Sequence, residues 1–292
     1  SCIAVSPDGK YLAVSSLDKS TSVHDLKSNR MLYTIETTAM PIRSVAFASD
    51  SQYLVTFRSA GTSRSVNYRD PKTGRSRDIG ITKVIPKETE TMAVSQDGRT
   101  IFASWLSGGT VLRRYDRLMH TSTNVQSRYV GRTSAATFSP DGTTLITGTP
   151  DGRLGMGEFL GSVLEVQAIH QGHRGAVNAL QFARNGKFIA SAGDDGAVHI
   201  WKSWKRTRQW RGAKLSDKES AALSLDISED DKHVAVGRAN GQVEIWSVSA
   251  SRRANKIDTG GSGVTAVRFL PGSGHVVVGN TNGDVLVIPV ER

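Results

Sequence analysis

A short turn sequence returns at a nearly constant interval along the whole chain. Ser6-Pro7-Asp8-Gly9 recurs as Ala48-Ser49-Asp50-Ser51, Ser95-Gln96-Asp97-Gly98 and Ser139-Pro140-Asp141-Gly142. It returns again as Ala183-Arg184-Asn185-Gly186, Ser228-Glu229-Asp230-Asp231 and Leu270-Pro271-Gly272-Ser273. The third members fall at positions 8, 50, 97, 141, 185, 230 and 272, giving steps of 42, 47, 44, 44, 45 and 42. Self-similarity at such a period marks a repeat architecture, whose units cannot bury their apolar faces alone and must stack on neighbours. Length by itself suggests about two domains; the repeat predicts one array.

Each unit reads as short strands joined by turns. The clearest copy passes through Gly172-His173, an apolar run at Val177, Leu180 and Phe182, and the turn Asn185-Gly186. It continues through Phe188 to Ser191, Asp194-Asp195-Gly196 and Val198-His199-Ile200-Trp201. Asn-Gly and Asp-Gly tolerate the positive φ of tight hairpins. The second turn recurs as Leu17-Asp18-Lys19, Pro150-Asp151-Gly152, Ala239-Asn240-Gly241 and Thr281-Asn282-Gly283. Third strands recur at Val23-His24, Val111-Leu112, Val243 to Trp246 and Val285 to Ile288.

Gly172-His173, Asp195-Gly196 and Ile200-Trp201, in that order, resemble a WD repeat, the four-stranded blade of a β-propeller. Lys202 stands where the Asp of Trp-Asp is usual. The resemblance implies an all-β, seven-bladed propeller of four-stranded antiparallel blades. It forms a single WD-repeat domain over 1–292, with blades roughly at 1–40, 41–86, 87–131, 132–175, 176–219, 220–263 and 264–292. It also implies a structural tetrad inside the fifth blade: His173, Ser191, Asp195 and Trp201. A catalytic Ser-His-Asp reading of these residues would need an exposed Oγ and an oxyanion hole, and Ser191 sits in mid-strand. Copy four carries Gly157 at the Trp position. Copy six has Val236 and Asn240 for the tetrad Ser and Asp, yet keeps Trp246.

In WD-repeat propellers the outer strand of the last blade usually comes from the N-terminal segment. Here Cys2-Ile3-Ala4-Val5 opens directly as a first strand, and the chain stops after the third strand of the last copy. The last blade is therefore expected to lack its outer strand, the sequence being a piece of a longer polypeptide. Alternatively, another segment or a partner supplies the strand by pairing with the open edge.

No enzyme signature emerges, and no metal, cofactor or membrane span is expected. Of the seven His only His170 and His173 are close in sequence, and the single Cys, Cys2, allows no internal disulfide. A reducing, cytoplasmic setting is expected on that ground.

The remaining signal is charge: 37 basic against 27 acidic residues, a formal +10. Its densest stretch follows Trp201, with Lys202, Trp204, Lys205, Arg206, Arg208 and Arg211 expected at the rim of the ring. Basic groups beside aromatic platforms suit nucleic acid. They also suit an acidic protein surface, or a solvated outer strand whose charges block edge pairing.

The resemblance implies a non-catalytic protein-interaction platform, or a sensor and regulatory ring attached to an effector module such as a protease, kinase or NTPase. A nucleic-acid-binding propeller using the basic rim is the alternative. The recognition face should carry the second-turn loops, where Arg43, Arg58, Trp105, Asp194 and Arg238 are the candidate anchors. Each of the five has a second reading, as a contact between blades.

Overall fold

A computed structural model describes residues 2–16, 18–36, 44–48, 50–60, 63–79, 89–105, 110–116, 121–124, 126–127, 131–160, 163–202, 211–216 and 220–290. The regular elements among them are all strands, arranged in seven sheets. The first strands of the sheets are Cys2–Val5, Ser44–Phe47, Thr89–Val94, Ala135–Phe138, Val177–Phe182, Ala222–Ile227 and Val264–Leu270. Each lies against the first strand of the next sheet, and the seventh returns to the first, which closes the ring. These are the inner strands of seven blades around a central channel.

The turn chemistry sets the local structure. Ser6 Oγ donates to Asp8 Oδ1 at 2.7 Å and accepts the N–H of Tyr11 at 2.8 Å, so one hydroxyl ties the turn to the start of the second strand. Ser95 with Asp97, Ser139 with Asp141 and Ser228 with Asp230 repeat the Ser-to-Asp bond at 2.5, 2.5 and 2.7 Å. The fourth turn residue is left-handed, at φ +70 in Gly9, +67 in Gly98 and Gly142, and +66 in Gly186. Where Gly is absent, Ser51 and Asp231 take the same conformation at φ +56 and +58, at an energetic cost that Gly avoids.

Side chains also stitch the third, fourth, fifth and sixth blades each to the next. Thr91 Oγ1 donates to the carbonyl of Thr133, Ser134 Oγ to Val177, Asn178 Nδ2 to Ala222 and Ser224 Oγ to Val264. Inner-strand edges facing the channel have no ladder partner, so these bonds satisfy carbonyls that would otherwise be orphaned.

Apolar packing runs between blades. Phe188, Val198 and Ile200 of the fifth blade pack with Leu225, Ile227 and Trp246 of the sixth. Trp201 packs back onto Ile146, Leu154 and Met156 of the fourth. The ring closes through Ile3 and Leu12 of the first blade against Ala266 and Val277 of the seventh. Burying each of those large aliphatic groups is worth about 1.5–3 kcal/mol.

Gly157 lies opposite Leu145, at the register step where Trp201 lies opposite Ile189 in the fifth blade. Leu164 fills the space above Gly157: a Cβ there would come within 3.0 Å of the Leu164 side chain. Leu164 is buried with Leu145 and Phe138, and Phe159 packs against them. Two sheets depart from four strands. In the fourth blade the short strand Gln126–Ser127 adds in parallel to Val163–Gln171. The seventh sheet has three strands among the described residues: Val264–Leu270, His275–Asn280 and Val285–Pro289. Val285, Leu286 and Val287 are accordingly exposed, whereas Val198, Ile200 and Trp201 on the corresponding strand of the fifth blade are buried.

Candidate interaction site

The fifth blade holds its second-turn loop with one continuous hydrogen-bonded chain. Trp201 Nε1 donates to Ser191 Oγ at 2.8 Å, and Ser191 Oγ lies 2.7 Å from His173 Nε2. His173 Nδ1 lies 2.9 Å from Asp195 Oδ1. The indole can only donate and the carboxylate accepts, so the consistent assignment has Ser191 donating to Nε2 and Nδ1–H donating to Asp195. Asp195 also accepts the N–H groups of Arg174 and Ala197. Burial works to raise its carboxyl, but the bonds from Arg174 and His173 outweigh that and hold it below the ordinary 3.8.

The order Asp–His–Ser is that of a hydrolytic triad, but the environment is not. Ser191 is fully buried, and the Trp201 indole occupies its oxygen. The group therefore acts as a clamp joining the second and third strands to the loop ahead of the inner strand.

The sixth blade builds a different clamp in the same place. Glu244 lies opposite Val236 in register, and neither the Arg238 nor the Glu244 side chain has any exposure. Arg238 Nη2 lies 2.6 Å and Nε 3.0 Å from Glu244 Oε2, and the Trp246 indole donates to the same oxygen at 3.0 Å. Arg253 donates to Oε1 at 2.7 Å. Arg238 Nη1 reaches the carbonyls of Ser220 and, in the second turn of the fifth blade, Gly196. Arg238 is thus a blade-to-blade tie and not an anchor for a partner, because its guanidinium is wholly enclosed.

The other candidates are placed as follows. Asp194 is exposed on the second-turn face and accepts Asn178 Nδ2 at 2.7 Å. Arg58 and Trp105 lie in the strands Leu54–Ala60 and Thr100–Trp105, with side chains outside the described set. Arg43 lies outside the described residues, as do Trp204, Lys205, Arg206 and Arg208 of the basic rim. Of that rim, Lys202 is exposed and pairs in register with Arg211 on the adjoining strand. An exposed cation that sequence reasoning passed over is Arg174, directly after the clamp His. Its N–H is held by Asp195 at 2.9 Å, which fixes the loop beside Asp194; its position between His173 and Gly175 was the available signal. Among the described residues no three His, Cys, Asp or Glu side chains assemble as metal ligands, and no helix is long and apolar enough to cross a membrane.

Seven sheets stacked as blades around a channel, the fifth and sixth closed by buried polar clamps, define a β-propeller. The WD domain, G-beta repeat family matches residues 1–25 and 164–202, the second span containing the clamp of the fifth blade. The fold is that of a β-propeller, and these two spans are similar to WD repeats. Its relatives include pre-mRNA-processing factor 19 homolog 2 of Arabidopsis thaliana, 26% identical over 290 residues, covering 94% of this chain and 51% of the relative. Pre-mRNA-processing factor 19 of Oryza sativa subsp. japonica is 25% identical, covering 97% and 53%. The chain spans about half the length of these relatives. The β-propeller domain of Cps50 (Swd1) from Myceliophteria thermophila superposes with a TM-score of 0.83 at 14% identity, covering 100% of this chain and 97% of that one.

Proposed function

We propose that this ring is a non-catalytic interaction platform within a larger protein, and that its recognition face carries the second-turn loops. The observation that carries this reading is that exposed Arg174 and Asp194 stand on loops whose backbones are pinned, the Arg174 N–H by Asp195 and the Asp194 N–H by the Ala176 carbonyl. Opposite charges held on rigid loops favour one partner orientation and speed encounter. The length of the plant relatives supports a further module beside the ring, and we infer a regulatory ring that senses a partner for an adjoining protease, kinase or NTPase.

A photo-crosslinking residue at position 194 tests the face, with one at the exposed outer-strand position 31 as the control. Specific adducts are expected at 194 and should be lost on Arg174→Glu. Equal labelling at both positions, or labelling at 31 alone, would reject this face.

The second reading is nucleic acid, favoured by exposed Lys202 beside Arg211 and by the names of the plant relatives. Binding of single-stranded RNA should then weaken by about 0.7 in log K per log unit of salt for each phosphate contact, and Lys202→Glu should reduce that slope.

A further inference from the structure

One residue of each inner strand stands four positions before the third member of its first turn. These are Ala4, Ala46 and Ala93 in the first three blades, then Thr137, Gln181, Asp226 and Arg268 in the remaining four. Their register is equivalent: each lies opposite the residue five positions after that turn's third member, as Ala4 does with Ala13, Gln181 with Ala190 and Arg268 with Val277. All seven line one cavity of about 760 Å³ at the first-turn end of the channel, opposite the proposed recognition face. That size is within the usual range for small-molecule sites, about 300–1,000 Å³.

The ring is polar along one arc and small and apolar along the other. Within the polar arc, some hydrogen-bonding capacity is taken and some is not. Asp226 Oδ2 accepts the N–H of Phe269 at 2.8 Å. Arg268 Nη1 donates to the carbonyls of Leu225 at 3.2 Å and Val267 at 2.7 Å, tying the sixth and seventh blades. The Nε and Nη2 groups of Arg268, the Gln181 amide and the Thr137 hydroxyl make no hydrogen bond among the described residues.

Charge follows the same pattern. At the rim Arg184 faces Glu229 at 3.3 Å and Lys232 faces Asp230 at 3.8 Å, whereas Arg268 has no carboxylate within ion-pair distance among the described residues. Burial pushes the Asp226 carboxyl upward against the pull of Arg268.

We propose that this cavity binds a small organic monocarboxylate. The planar carboxylate matches the open edge of a guanidinium, with Gln181 and Thr137 as neighbouring donors. The apolar body of the ligand rests on the alanine arc. A phosphate dianion is disfavoured because Asp226 lies beside Arg268, and Arg184 at the rim is already paired with Glu229.

Titration calorimetry with benzoate on the 292-residue chain tests the assignment, with isosteric benzamide as the neutral control. Saturable binding of benzoate is expected. Benzamide, and benzoate with Arg268→Gln, should bind at least about tenfold more weakly, as for loss of one charge-assisted bond. Because Arg268 also holds two carbonyls, Ala46→Leu supplies an independent check from the far side of the ring. It should abolish benzoate binding by filling the apolar arc while leaving the melting temperature unchanged. Failure of benzoate to saturate, equal affinity for benzamide, or unaltered binding in Ala46→Leu would each overturn the proposal.

Discussion

Replacing Glu244 by Leu should be among the most damaging single changes in the ring, although the substituent is apolar and of similar volume. Arg238 has no solvent exposure and lies 2.6 Å from the carboxylate, so removing Glu244 leaves a guanidinium that cannot deprotonate or reach water. Its bonds to the carbonyls of Gly196 and Ser220 would persist, but neutral acceptors do not replace the carboxylate. The Trp246 indole would lose its acceptor as well. Arg253, already 35% exposed, can turn to solvent and adds little. Breaking one side of a buried ion pair costs about 3–5 kcal/mol, and the orphaned indole falls within that figure because both groups share one oxygen.

Urea denaturation of the parent and variant measures the difference. Hydrogen exchange at the Gly196 turn should report the loosened contact between blades. The double variant Arg238→Met with Glu244→Leu removes both charges and should recover part of the loss, since apolar replacements of buried pairs are often neutral, while the Trp246 indole and the Gly196 and Ser220 carbonyls still lack these partners. A single variant as stable as the parent, or a double variant no better than the single, would refute the closed ion pair as the sixth blade's clamp.

The remaining predictions concern the fifth blade and the ring's open edge. Trp201→Ala should lower stability by about 3–5 kcal/mol, measured by the same denaturation; a loss below about 1 kcal/mol would mean the indole is not the packing centre of its blade. Gly152→Ala should be severe, because a Cβ would come within 2.1 Å of the His173 carbonyl at φ +87, whereas at Gly142 nothing lies within 4 Å. Gly142→Ala should therefore show only the backbone penalty of about 1–2 kcal/mol, and thermal melts of the pair decide the point. Asp195 is held below its ordinary pKa, so its contribution is fully present above the unfolded value near 3.8 and is lost as pH falls through the folded value. Asp195→Asn should flatten that acid-side decline in melting temperature, and an unchanged profile would contradict it. Amide exchange in Val285–Pro289 should outpace that in Val198–Lys202, and equal protection would show that the outer edge of the seventh sheet is covered.

The architecture was legible in the sequence because each repeat encodes it locally. A Ser and an Asp two residues apart make the turn, a left-handed Gly completes it, and the spacing of His173, Ser191, Asp195 and Trp201 places four groups on adjoining strands of one blade. Those relations span at most a single repeat, so contiguous chemistry determines them.

What the sequence left open depends on contacts between blades. For Arg238 the sequence left two readings, an anchor for a partner or a contact between blades. Only the packing of the sixth blade on the fifth shows it enclosed, because its acceptors include Gly196, 42 residues away. Copy six, read as lacking a complete tetrad, has a clamp whose acid comes from the third strand. Register put Glu244 opposite Val236 and turned a missing Ser and Asp into a different buried network. Leu164 above Gly157 and the half-polar ring from Ala4 to Arg268 likewise exist only once the blades close. Repeat periodicity specifies which residues share a position, whereas the closed toroid decides which face one another across a core or a channel.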